Sequence, residues 1–152
     1  MSKINCLPSE AAALVAVIDP DAYAAATTVS DYADMGKFER IMFIISVGEM
    51  AATATLDAVI KQATTSAGAG AKNLTTSKAI TQLTQAGTDS DKQVIINVLA
   101  EDLDMANNFD HVAISVTGAV AASDYGVVAL GFNPRYAPAS DNDLASVDEI
   151  VS

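Results

Sequence analysis

Residues 38–47 read FERIMFIISV, with Ile41, Phe43, Ile45 and Val47 on one side of an extended backbone and Met42 and Ile44 on the other. β-Branched and aromatic side chains at period two suit a pleated strand and crowd a helix. Apolar residues on both sides predict a central strand covered on both faces. The same alternation recurs. Residues 92–99 (KQVIINVL) put Val94, Ile96 and Val98 on one face. Residues 109–117 (FDHVAISVT) put Val112, Ile114 and Val116 inward and Ala113, Ser115 and Thr117 outward. Residues 55–64 (TLDAVIKQAT) form a half-buried strand, with Leu56, Ala58 and Ile60 opposed to Asp57 and Lys61.

Further extended segments are expected at residues 14–18, 27–30 and 125–136, the last broken at Asn133-Pro134. Residues 79–85 fit a strand or a short helix equally well. Turn residues fall between these segments, at residues 19–21, 34–37, 66–73, 87–91 and 105–108. Seven to nine short strands at such spacing, with no alternating long helices, predict an all-β antiparallel β-sandwich. We divide the chain into an extended N-terminal arm or first strand (residues 1–20), a sandwich (21–138) and a flexible acidic C-terminal tail (139–152). The strands that open on Phe38-Glu39-Arg40-Ile41 and Phe109-Asp110-His111-Val112 echo each other, as two equivalent central strands would.

Composition narrows the function. Nineteen acidic residues against eight basic give a net charge of −11, which disfavours nucleic acid and anionic membrane, since both are bound by cations that displace counterions. Apolar residues make up 51% and aromatics 5%, with no Trp, so the core must be aliphatic. No apolar run reaches the ~18 residues of a membrane span, and residues 11–18, bounded by Glu10 and Asp19-Pro20, read as arm or strand, not as a targeting segment. Cys6 stands alone, so no intrachain disulfide is expected.

The chemistry-bearing residues form no recognisable set. His111 is the only histidine, and no G-x-S-x-G sequence accompanies it. Cys6 and His111 together cannot hold zinc. The acidic groups Asp19/Asp21, Asp89/Asp91 and Glu101/Asp102/Asp104 depart from the calcium-loop spacing. The Gly68-Ala69-Gly70-Ala71-Lys72 run lacks the ending of a phosphate loop. Asn73-Leu74-Thr75 matches a glycosylation sequon without a secretory context. No catalytic residue, metal site or cofactor is expected, and the chain is read as a contact-forming, non-enzymatic protein.

Four stretches, VSDYADMGKFERIMFIISVGEM, LDAVIKQATTSAGAGAKNL, VIINVLAEDLDMANNFDHVAISVTG and VVALGFNPRYAP, resemble the capsid decoration (cement) proteins of tailed bacteriophages. The resemblance spans residues 29–136 and is weakest over 73–91. It implies a jelly-roll-like sandwich that sits on the exterior of the virion capsid. There it would bind the major capsid protein and hold neighbouring subunits together, after synthesis in the host cytoplasm. A homo-dimer or homo-trimer is expected with it. We expect the N-terminal arm to reach a neighbour through Leu7, Leu14, Val15, Val17 and Ile18, by apolar contact or by adding a strand to a sheet edge. A tail or neck component, a carbohydrate-binding sandwich and a small hydrolase are the alternatives.

Overall fold

The computed structural model describes residues 5–152; residues 1–4 of the expected arm lie outside that range. A short helix α1 (Pro8–Ala11) leads into ten strands: β1 (Ala12–Tyr23), β2 (Thr27–Val29), β3 (Ala33–Asp34), β4 (Phe38–Met50), β5 (Thr55–Ala63), β6 (Lys72–Asn73), β7 (Leu83–Thr84), β8 (Gln93–Leu99), β9 (His111–Ala119) and β10 (Ser123–Pro134). They form two antiparallel sheets. One has the order β1-β10-β4-β8; the other has the order β2-β9-β5-β6, with β3 also on β9 and β7 also on β5.

The short strands β2 and β3 share one position along β9, and β6 and β7 share one along β5. Counted that way there are eight positions, ordered 1-8-3-6 facing 2-7-4-5. That is the double Greek key of a jelly roll. The all-β antiparallel sandwich is therefore the fold of this chain.

The core lies between the sheets and is aliphatic. Ile41, Phe43, Ile45 and Val47 of β4 meet Leu56, Ile60, Val112, Ile114 and Val116 of β5 and β9, all essentially without solvent contact. At one end Tyr23 stacks on Tyr125 with ring centroids 4.5 Å apart, and the Tyr125 hydroxyl bonds Thr28 Oγ1 at 3.1 Å, tying the first sheet to the edge of the second. Burial raises the Tyr125 hydroxyl above the usual tyrosine pKa, and the Thr28 bond offsets part of that rise.

Two expectations are corrected and two alternatives are decided. Of arm or first strand, residues 12–23 are the strand, paired with β10 from Ala12↔Phe132 to Tyr23↔Ser123. Strand β4 is central but covered on one face only: Met42 and Ile44 are half-buried with no layer beyond them. The first half of the tail is fastened down. Residues 139–142 form a 3-10 turn with Ala139 buried, and the Leu144 N–H donates to Leu14 O at 2.8 Å. Residues 79–85 are extended, through a bridge from Ala79 to Val59 and then β7. The expected irregularity at Asn133-Pro134 is present: Asn133 adopts a left-handed backbone at φ +50°, and β10 ends at Pro134, whose partner is Phe38.

Two irregularities in β1 decide which of its side chains face out. The register slips between Leu14 and Ala16, so Val15 and Ala16 both turn into the core while Leu14 and Val17 face outward. It slips again between Ile18 and Asp21, at Pro20, a residue that sheets accept at edges and bulges. Gly126 lies beneath this second bulge; a Cβ there would stand 3.0 Å from Pro20 Cα. A side chain there would have to push Pro20 back by a few tenths of an ångström.

Candidate functional site

The outer face of the four-stranded sheet carries aligned apolar rows. Val17, Val128, Ile44 and Ile95 stand side by side across all four strands. The next row is Leu14, Leu130, Met42 and Asn97, and the one after it is Ala12, Phe132, Arg40 and Leu99. Ile95 is 58% exposed and Val128 40%. On a chain with nineteen acids, these three rows hold no carboxylate and a single cation, Arg40. This apolar face is the candidate contact surface.

Charged side chains take up two backbone groups on each edge strand of that sheet. On β1 the Leu14 N–H donates to Asp143 Oδ1 at 2.7 Å and the Val17 N–H donates to Asp31 Oδ2 at 3.2 Å. On β8 the Leu99 N–H donates to Asp102 Oδ2 at 2.8 Å, and the Lys78 ammonium donates to Asn97 O at 2.8 Å. Backbone groups committed in this way offer little to an added strand. On β1 these bonds engage the N–H groups of Leu14 and Val17, two of the residues expected to reach a neighbour.

The five expected partner-binding residues divide accordingly. Leu7 is exposed, and Leu14 and Val17 sit half-buried in the outer rows. Val15 and Ile18 belong to this chain's own core, at 7% and 4% exposure, and are not anchors for a neighbour, because the bulge and the β10 pairing turn them inward.

A cleft of about 880 Å³ opens at the end of the sandwich where α1, the start of β4 and the end of β10 meet. The Arg135 N–H donates to Lys37 O at 2.8 Å, which sets two cationic residues side by side on its wall. Met35, Phe38, Phe132 and Pro134 supply apolar lining. Glu10 and Glu39 also line it, but Glu10 accepts the Leu7 N–H at 2.7 Å and Glu39 accepts an amide N–H of Asn133 at 3.1 Å. Sequence reasoning missed Lys37 and Arg135 as a pair, since nothing local links them.

The remaining polar groups serve the frame. Burial alone would raise the Asp102 carboxyl, but the Lys78 ammonium at 2.7 Å and the Leu99 N–H outweigh it and hold that carboxyl below the usual range. Lys72 at 2.7 Å and then Asn107 lower Asp104 likewise. Lys72 also lies 4.2 Å from the centre of the Phe109 ring. Buried Gln62 accepts the Asp104 N–H and donates to Asn73 O. His111 Nδ1 lies 2.6 Å from Asp110 Oδ1, with no hydroxyl joined to the pair. Gly68, at φ +81°, closes the loop after β5 against the Tyr32 ring. Among the described residues no three acidic, His or Cys side chains group as metal ligands would, and no helix is long and apolar enough to cross a membrane.

No family model matches the chain, and no curated protein matches it by sequence. Among solved structures, the fold is similar to a chain in the cryo-EM structure of broad bean stain virus, at 7% identity and a TM-score of 0.43, over 90% of this chain and 95% of that one. It is also similar to a chain of the cowpea mosaic virus empty virus-like particle, at 8% identity and a TM-score of 0.37, over 90% and 87%. The jelly-roll assignment rests on strand order and register, not on these likenesses.

Proposed function

We propose that this protein is a virion structural protein that docks on the outer surface of an assembled tailed-phage capsid and reinforces contacts between major capsid subunits. The observation that carries this reading is the carboxylate-free apolar face of the four-stranded sheet. Four strands ~4.8 Å apart and about six residues long at ~3.4 Å each give a face of roughly 400 Å². A standard interface buries about 800 Å² per partner. One such contact is weak, and it becomes useful where many identical sites recur and self-association links them. A shell offers that repetition. The expected homo-dimer or homo-trimer fits the same logic, and the sequence resemblance to decoration proteins points the same way. The acidic remainder of the surface favours solubility at high local concentration.

The test is occupancy on purified undecorated capsids of the parent phage, measured by co-sedimentation. Val128→Lys and Ile95→Lys place charges in exposed positions of the central row. Thermal melting should stay within a few degrees of the parent, while occupancy falls at least tenfold. A control change on the other sheet, Lys61→Ala, should leave occupancy unchanged. Full occupancy by both lysine variants would refute docking through this face.

A further inference from the structure

The cleft at the α1 end has no role in that reading. It joins two cations to apolar walls on a chain that is otherwise strongly acidic. Among the described residues neither Lys37 nor Arg135 has an ion-pair partner, and the two carboxylates of the cleft are turned toward the chain's own donors. Its volume of about 880 Å³ suits a short peptide or small ligand, for which clefts of ~300–1,000 Å³ are usual. The chemistry it selects is an anionic segment carrying aliphatic side chains.

The chain itself carries such a segment. Residues 148–151 read Asp-Glu-Ile-Val, with Ile150 at 48% and Val151 at 84% exposure. Their predecessors are tied down: Asp143 and Leu144 bond Leu14, and the Val147 N–H donates to Leu144 O. In the structure none of residues 148–151 lines the cleft of its own chain, and Ile150 and Val151 are exposed.

We infer that residues 148–151 of one copy dock in the Lys37/Arg135 cleft of a second copy. Asp148 and Glu149 meet the two cations, and Ile150 and Val151 lie against Phe132, Pro134 and Met35. A contact of this kind joins two different surfaces, so it propagates head to tail until the geometry closes it into a ring. Copies on a lattice would thereby be linked to each other as well as to the surface beneath, and the inference holds whether or not that surface is a capsid.

The experiment uses a labelled synthetic peptide of residues 145–152 and a full-length chain whose own segment is neutralised by Asp148→Asn, Glu149→Gln, Ile150→Ser and Val151→Ser. Fluorescence anisotropy should report saturable binding, weakened at least tenfold by Lys37→Ala with Arg135→Ala and weakened by added salt. Sedimentation velocity of the unaltered chain should show concentration-dependent association that the neutralised chain lacks. Absence of peptide binding, or equal binding to the Lys37/Arg135 double variant, would overturn the cleft as receptor. Peptide binding together with a strictly monomeric parent chain would overturn the second copy as occupant, and assign the segment to its own cleft.

Discussion

The two carboxylates on the β1 edge make a prediction that separates edge protection from incidental surface contact. The perturbation is Asp31→Ala combined with Asp143→Ala. Each removes an acceptor that lies 2.7–3.2 Å from a backbone N–H of an otherwise open strand. A hydrogen bond to a charged acceptor is worth about 1.5–3 kcal/mol when shielded and nearer 0.5 when solvated. The Leu14–Asp143 bond is partly buried and the Val17–Asp31 bond is exposed, so the pair should stabilise by about 2 kcal/mol together. At roughly 2–4 °C per kcal/mol for a domain of this size, the melting temperature should fall by about 4–8 °C. The exposed N–H groups should also template pairing between chains, visible as a rise in light scattering at high concentration below the melting point. Asp31→Asn with Asp143→Asn keeps an acceptor at each position and should recover at least half of the loss. Melting within a degree of the parent, with no new scattering, would show that these carboxylates neither hold nor guard the edge.

Three further outcomes follow from the packing. Ile60→Ala empties a fully buried position between the sheets and should cost about 2–5 kcal/mol in urea unfolding, whereas the neighbouring Lys61→Ala should change it little. Gly131→Ala would put a Cβ 2.7 Å from the Phe38 ring, and because that ring is buried the strain should cost about 1–3 kcal/mol; Phe38→Ala removes the clashing atoms, so the double variant should be less destabilised than the sum of the two single changes. Asp102 and Asp104 are held below their ordinary pKa, so the stability they add is complete above the unfolded carboxylate value of about 3.9 and is lost as pH falls through the lowered folded values. Lys78→Met leaves Asp102 half-shielded from water and unpaired, so acid unfolding followed by circular dichroism should begin at higher pH; an unchanged acid limb would show that the ion pair contributes nothing.

The strands that proved easiest to read were those whose neighbours leave one face wet. Residues 55–63 alternate because that strand has one solvent side, and the alternation appears directly in the residue types. Strand β4 misled for a related reason. Met42 and Ile44 are as apolar as a covered face requires, and no local signal distinguishes an aliphatic side chain under a second layer from one that shields itself among Val128 and Ile95. Strand β1 was legible as extended but not as part of the sandwich, since its partner, β10, lies at the far end of the sequence and the bulge at Val15 breaks the period that would have shown its inner face. The tail looked mobile because it is acidic, yet one of those acids, Asp143, is a strand-edge acceptor. Of the surface proposed for docking, Leu14 and Val17 could be named from the sequence, whereas the alignment that joins them to Leu130, Val128, Ile44 and Ile95 exists only once the register is set.

Because β10 lies between β1 and β4, the four-stranded sheet has a gap in its middle until the last strand arrives. A chain emerging from the ribosome therefore holds β1 and β4 with unsatisfied facing edges through most of its synthesis. Pairings of such long sequence separation form slowly, and incomplete sheets seek each other out when many copies are made at once. High-level production should consequently reward slow translation or low temperature, and truncations that remove β10 should yield insoluble material and not a smaller folded domain.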